Sequence, residues 1–194
     1  MIFFATKQTI ERFKITMPEE MDPAPKAASK KLIQLEQSDP MLEWGFKIFY
    51  FDHRKCIQAM NFASKLTIFI FDVKIGDFEN VANTIAFYLL DLYHSDKVME
   101  KTLKKFFSEH SLCAYDKLKD RSIISSLNRN QMVFANDGYA FYDYIENGIL
   151  QTRLINHDVN FQWLVTQTIM GKTEYVYPGE RFKALLLQRY AKYS

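Results

Sequence analysis

Glycine and proline are scarce, at 6 and 5 of 194 residues, roughly half of average usage. That shortage excludes collagen-like and loop-dominated chains and favours long regular elements. There are only two cysteines, Cys56 and Cys113, too few for a disulfide framework, so a reducing cytoplasmic setting is the expectation. Charge of one sign is lacking too. With 25 Lys plus Arg against 23 Asp plus Glu, no global field points to nucleic acid or an acidic membrane, and such activity needs a local patch. The longest strongly apolar run is Leu66 to Phe71, far below the ~20 residues of a membrane-spanning helix. The amino terminus lacks the charged, apolar and small-residue series of a secretory leader, and the expectation is a soluble protein with no membrane partner.

What is present is a chain that is 48% hydrophobic, with 17 Phe, 11 Tyr and 2 Trp, long enough for one domain over residues 1–194 with a real core. Ile2 to Ala5 is a short β-type run, and a helix starting at Thr9 places Ile10, Phe13 and Ile15 on one face. Pro18, Pro23 and Pro25 mark 17–26 as an irregular, proline-rich connection. From Trp44 the period becomes two. Strands over Trp44 to Phe51, Lys55 to Met60 and Leu66 to Val73, with turns at Asp52-His53-Arg54 and Asn61 to Lys65, predict an antiparallel meander.

After Gly76 the period becomes helical, with Asp77 as N-cap and Phe78, Val81, Ile85 and Leu89 inward. A helix from Lys97 to Glu109 buries Met99, Leu103, Phe106 and Phe107 and turns Lys97, Lys101, Lys104 and Lys105 to solvent. Asp120-Arg121-Ser122 opens another helix, with Ile123, Ile124 and Leu127 apolar. The stretch 131–149 carries two signals: Asn136-Asp137-Gly138 suits a hairpin turn, whereas Met132, Ala135, Tyr139, Tyr142, Ile145 and Ile149 recur at helical spacing. We read it as helix, with a hairpin as the alternative. A last helix follows Tyr177, with Pro178 in its first turn. The sum is an α+β fold, a small and mainly antiparallel meander sheet packed against helices mostly from the C-terminal half.

Chemical motifs are sparse. Gly171-Lys172-Thr173 ends like a phosphate-binding loop, but Thr166 stands where its first glycine belongs and Tyr175-Val176-Tyr177 is extended in type. His53/Cys56 and His110/Cys113 form two H-x-x-C pairs, four zinc-type ligands if they met. Strand alternation separates the first pair, and no metal or cofactor is expected. No catalytic residue is assigned. Helical spacing places Arg121, Ser125 and Asn128 on one face beside Ser122, a polar surface suited to phosphate or carboxylate at a helix start. A capping Asp120 would oppose an anion there. Arg54 and Lys55 at the meander hairpin, beside Phe49, Tyr50 and Phe51, form a second basic surface.

Read in order, Glu43-Trp44, Asp52-His53-Arg54-Lys55-Cys56, Asp120-Arg121-Ser122-Ile123 with Leu127-Asn128, and Tyr175-Val176-Tyr177-Pro178 resemble an uncharacterised bacterial family, a domain of unknown function. Its members carry a tryptophan, an Arg-Arg-Lys-Cys or Arg-Arg-Lys-Tyr hairpin and an Arg-Ser…Leu-Asn helix. This chain departs from that pattern at His53 and at Ser125-Ser126. The resemblance implies a bacterial, intracellular, single-domain α+β protein and no particular activity, cofactor or catalytic residue.

The functional expectation is a non-enzymatic cytoplasmic binding or interaction module with an unknown protein partner or self-association. Nucleic acid is a disfavoured partner. The alternative is an enzyme or nucleic-acid-processing protein whose phosphate- or carboxylate-binding site joins Arg54 and Lys55 with Arg121, Ser122, Ser125 and Asn128. That composite requires Arg54 and Arg121 to meet within about 10 Å. A protein-partner role instead requires an exposed aromatic patch.

Overall fold

A computed structural model describes residues 1–136 and 140–191. Five strands form the main sheet: β1 (Ile2–Ala5), β2 (Glu43–Phe51), β3 (Arg54–Asn61), β4 (Thr67–Ile70) and β5 (Ala114–Lys117), in the order β4-β3-β2-β1-β5. The expected meander is β2-β3-β4, antiparallel throughout, with Ile48 opposite Ile57 and Ile57 opposite Ile70. β1 and β5 extend it with two parallel pairings, so the sheet is mixed. The meander hairpin turns on Asp52 and His53, both at positive φ (48° and 60°), the twist that suits a two-residue connection.

Seven helices stand among the described residues: α1 (Lys7–Phe13), α2 (Pro23–Glu36), α3 (Val81–Leu92), α4 (Lys97–Glu109), α5 (Arg121–Asn136), α6 (Thr152–Phe161) and α7 (Pro178–Ala191). Alternation along the strands sends Phe3, Trp44, Phe46, Ile48, Ile57 and Ile68 to one face. There they pack with Ile85 and Leu89 of α3, Leu103 and Phe106 of α4, and Phe182 and Leu186 of α7. Ile2, Phe4 and Met60 point the other way, onto Ile123 and Leu127 of α5. Further along that face, Phe49, Cys56 and Phe69 meet Phe134 of α5 and Ile155 and Val159 of α6. With both faces covered, the strands read as near-continuous apolar runs.

Gly45 sets the approach of α5, since a Cβ there would lie 2.6 Å from Ile123 Cγ2. The outer edge, β4, is closed by side chains. Asn160 accepts from Thr67 N and donates to Thr67 O, and four residues earlier Asn156 does the same for Phe69, all at 2.7–3.0 Å. One face of α6 thus supplies two amides at the two-residue repeat of a strand.

Several expectations are corrected. The proline-rich connection is ordered into a 3₁₀ turn (Pro18–Glu20) and the start of α2, with Pro23 at its first position. Proline tolerates that position because the missing N–H has no partner there in any helix. The first helix starts at Lys7 with Thr6 as N-cap, and Ile15 lies beyond it. Asp77 does not cap α3; it sits inside a 3₁₀ turn (Ile75–Asn80) and accepts from Lys74 N. The helix read over 131–149 ends with α5 at Asn136. A 3₁₀ turn (Phe141–Tyr144) and a short hairpin of β6 (Ile145–Glu146) and β7 (Ile149–Leu150) follow, turning at Asn147-Gly148. Asn136 ends the helix, while Asp137-Gly138 and Tyr139 lie outside the described residues. A final hairpin pairs β8 (Val165–Ile169) with β9 (Lys172–Val176) and turns at Met170-Gly171. No helix among the described residues is long and apolar enough to cross a membrane.

Candidate functional site

The sheet has two ends, and the basic residues singled out in the sequence divide between them. At the hairpin tip, Arg54 pairs with Asp72 at 2.8 Å, and Lys55, the next residue along the strand, lies over the Phe13 ring of α1 on the opposite face. Arg121 and Ser122 begin α5 at the other end, where Ser122 Oγ accepts from Lys65 Nζ at 3.1 Å. Lys65 is bonded through its backbone to Asn61, the last residue of β3. The strand from Arg54 to Asn61 is about 23 Å long at ~3.3 Å per residue, so Arg54 and Arg121 do not share a cleft. Arg121 and Ser125 are exposed. Asn128, one turn further on, accepts from Lys47 Nζ at 2.7 Å, and burial lowers the Lys47 ammonium below its usual range.

The two H-x-x-C pairs do not converge either. Cys56 is fully buried on β3, whereas His110 and Cys113 precede β5, three strand spacings away, about 14 Å. His110 lies between Glu36 and Arg189. Among the described residues, no group of three or more His, Cys, Asp or Glu is arranged to hold a metal ion. Gly171 lies in a hairpin turn with a strand after it, not in a phosphate loop.

The arrangement that stands out was not read as a site from the sequence. At the base of the sheet a cavity of about 570 Å³ opens between the start of β2, the β3–β4 turn, the start of α5 and the β8–β9 hairpin. Glu43, the first residue of β2, faces it and is only 7% exposed. Its carboxyl makes no hydrogen bond or ion pair among the described residues. Burial, then the charges of Asp39 and Asp120, push it up to about 7 from the ordinary 4.5, since each disfavours a further negative charge.

The backbone beneath Glu43 is held firmly. Asn61, fully buried, donates through Nδ2 to the carbonyls of Met41 and Glu43 at 3.0 and 3.3 Å, and its Oδ1 accepts from Ser64 N and Oγ. Ser64 is followed by Lys65, in a left-handed conformation (φ 62°) and 8% exposed. Burial lowers the Lys65 ammonium while Asp120 opposes the shift. Asp120 in turn accepts from Ile123 N at 2.8 Å, so it caps α5 and occupies the helix end that would draw an anion. Thr166, Thr168 and Thr173 form the hairpin wall, and Gln167 fastens it through Nε2 to Ala63 O at 2.5 Å. The Gln167 Oε1 atom is buried and has no partner among the described residues.

A buried acid without a counter-charge, an ammonium on a serine hydroxyl and a threonine wall make a cleft able to hold and orient a small polar molecule. A larger opening of about 690 Å³ lies beside Asp39, but its charges are already matched, Arg189 to Asp39 and His110, and Tyr190 to Glu109. One signal in the sequence marks Glu43: it is the acidic residue heading the aromatic-rich strand that runs from Trp44 to Phe51. The chain matches the family described as Domain of unknown function (DUF6933) over residues 2–181. No curated protein matches it.

Proposed function

We propose that this chain, which belongs to the DUF6933 family, is a binding module that takes a small polar molecule into the cleft at the base of its sheet. The supporting observation is Glu43, a carboxyl buried to 7% exposure with no partner among the described residues, facing an open cavity. A ligand that bonds this carboxyl would supply the partner that the described residues do not. Lys65 and Ser122 fix the opposite wall; in this reading Ser122 belongs to the site, while Arg121, Ser125 and Asn128 of the same helix start, and Arg54 and Lys55 at the hairpin tip, are not among the residues lining it. The setting is cytoplasmic in this reading, consistent with two free cysteines.

A fragment screen followed by amide NMR tests the proposal. Polar fragments are expected to shift Glu43, Lys65, Ser122 and the threonines of the β8–β9 hairpin together. Shifts confined to the rest of the surface, or none at all, refute it.

A second reading, a protein partner, is supported by Tyr50 and Tyr142, 49% and 59% exposed at the rim of an aromatic hollow of about 450 Å³ at the hairpin tip. Replacing both by serine is expected to leave fragment binding intact and to abolish any self-association seen by sedimentation. Unchanged sedimentation of an associating wild type would rule out this surface as the contact.

A further inference from the structure

We infer that the ligand of the Glu43 cleft is a small organic cation, a primary amine or guanidinium, that seats its charge on the Glu43 carboxyl. The inference rests on the binding reading above and supplies its chemical class. The charges on the elements packed around the carboxyl point to this class. From the turn before β2, Asp39 is already paired with Arg189 of α7. From the start of α5, Asp120 caps the helix and lies close enough to Lys65 to stabilise its charge. From the β3–β4 turn, Lys65 spends a donor on Ser122 Oγ. The β8–β9 hairpin lines the cleft with Thr166, Thr168 and Thr173, while its charged residues Lys172 and Glu174 are exposed.

Among the described residues at the cleft, Glu43 is therefore the carboxyl left without an opposite charge, and the charge that completes the set is a single positive one. The remaining polar groups agree with that sign. An ammonium has three donors and no acceptor, and the cleft is lined by Thr166, Thr168, Thr173 and Ser122, whose hydroxyl oxygens can accept. A phosphate or carboxylate would instead meet Asp120 at the mouth of the helix and Glu43 behind it, like charges that oppose entry.

The experiment titrates n-butylamine and methylguanidine, with n-butanol as the uncharged control, into the full chain at pH 6 and pH 8, followed by calorimetry and by chemical shifts. An alkylamine stays protonated across this range, so the pH dependence reports the protein. With Glu43 titrating near 7, amine affinity is expected to rise about tenfold from pH 6 to pH 8, with close to one proton released per amine bound at pH 6. Glu43→Gln, its fold checked by thermal unfolding, is expected to lose both the pH dependence and most of the amine affinity while still binding butanol. Arg54→Ala, at the hairpin tip and outside the cleft, is expected to bind amines as the wild type does, and equal loss of amine affinity in the two variants overturns the inference.

Affinity that is flat or falls with pH, butanol binding as tightly as butylamine, or Glu43→Gln binding amines like the wild type overturns the inference. If butanol shifts the cleft residues and the amines do not, the cleft stands and the cation is wrong. If neither shifts them, the binding reading falls as well.

Discussion

Glu43 carries a cost that depends on pH with a definite sign. Its carboxyl holds a proton more readily in the folded chain, near 7, than at the ordinary 4.5, so the folded state binds more protons between those values and rising pH weakens it. The penalty is absent below 4.5 and complete above about 7. Glu43→Gln is expected to flatten that slope and to stabilise the protein at pH 8 by roughly 2 kcal/mol, allowing for solvent in the open cleft. Urea unfolding at a series of pH values checks it, and an unchanged slope would show that Glu43 titrates normally. At the hairpin tip, His53 holds a left-handed conformation that suits glycine better. His53→Gly is expected to gain about 0.5 kcal/mol without touching the cleft, which thermal unfolding and fragment binding together would report.

The elements whose apolar residues all point one way were legible in the sequence. α4 spans Lys97–Glu109 as expected because Met99, Leu103 and Phe106 form a single stripe and Asp96 caps it, while the three meander strands, apolar on both faces, follow from their β-rich runs and turn residues. α2 escaped notice because it buries none of its own residues and its prolines look like breakers, although at a helix start they are compatible with it. α6 escaped because two of its four buried positions are asparagines. β5, at Ala114–Lys117, is an edge strand with Ala114 its single buried residue and alternates too weakly to be seen. The cleft was half legible: Ser122 came from a capping pattern, whereas Glu43 and Lys65 are joined to it only by the packing of α5 on β2. That packing turns on one glycine. Gly45→Ala is expected to cost about 1–3 kcal/mol and to displace the α5 start, weakening fragment binding in the same variant. A stability change with binding intact would place the cleft's geometry elsewhere.

Over the whole molecule, stability should be unevenly distributed. The sheet is covered on both faces, whereas β8 and β9 have no buried residue, and Gln167 to Ala63 is the hydrogen bond that ties them to the sheet among the described residues. Gln167→Ala is therefore expected to raise amide exchange across the β8–β9 hairpin alone, leaving β2 and β3 protected, and uniform acceleration would mean that the hairpin is integral to the core. The asparagine pair on β4 belongs to this scale as well. Asn156→Ala strips partners from Phe69 N and O and is expected to cost about 2–4 kcal/mol. The larger effect concerns company. A strand edge stripped of its amides offers free donors and acceptors in register for another chain, and β4 carries Thr-Ile-Phe-Ile, a β-rich sequence. Asn156 and Asn160 imitate a neighbouring strand without extending one, so they terminate the sheet the way a cap ends a filament, keeping this chain from becoming a template for its own copies.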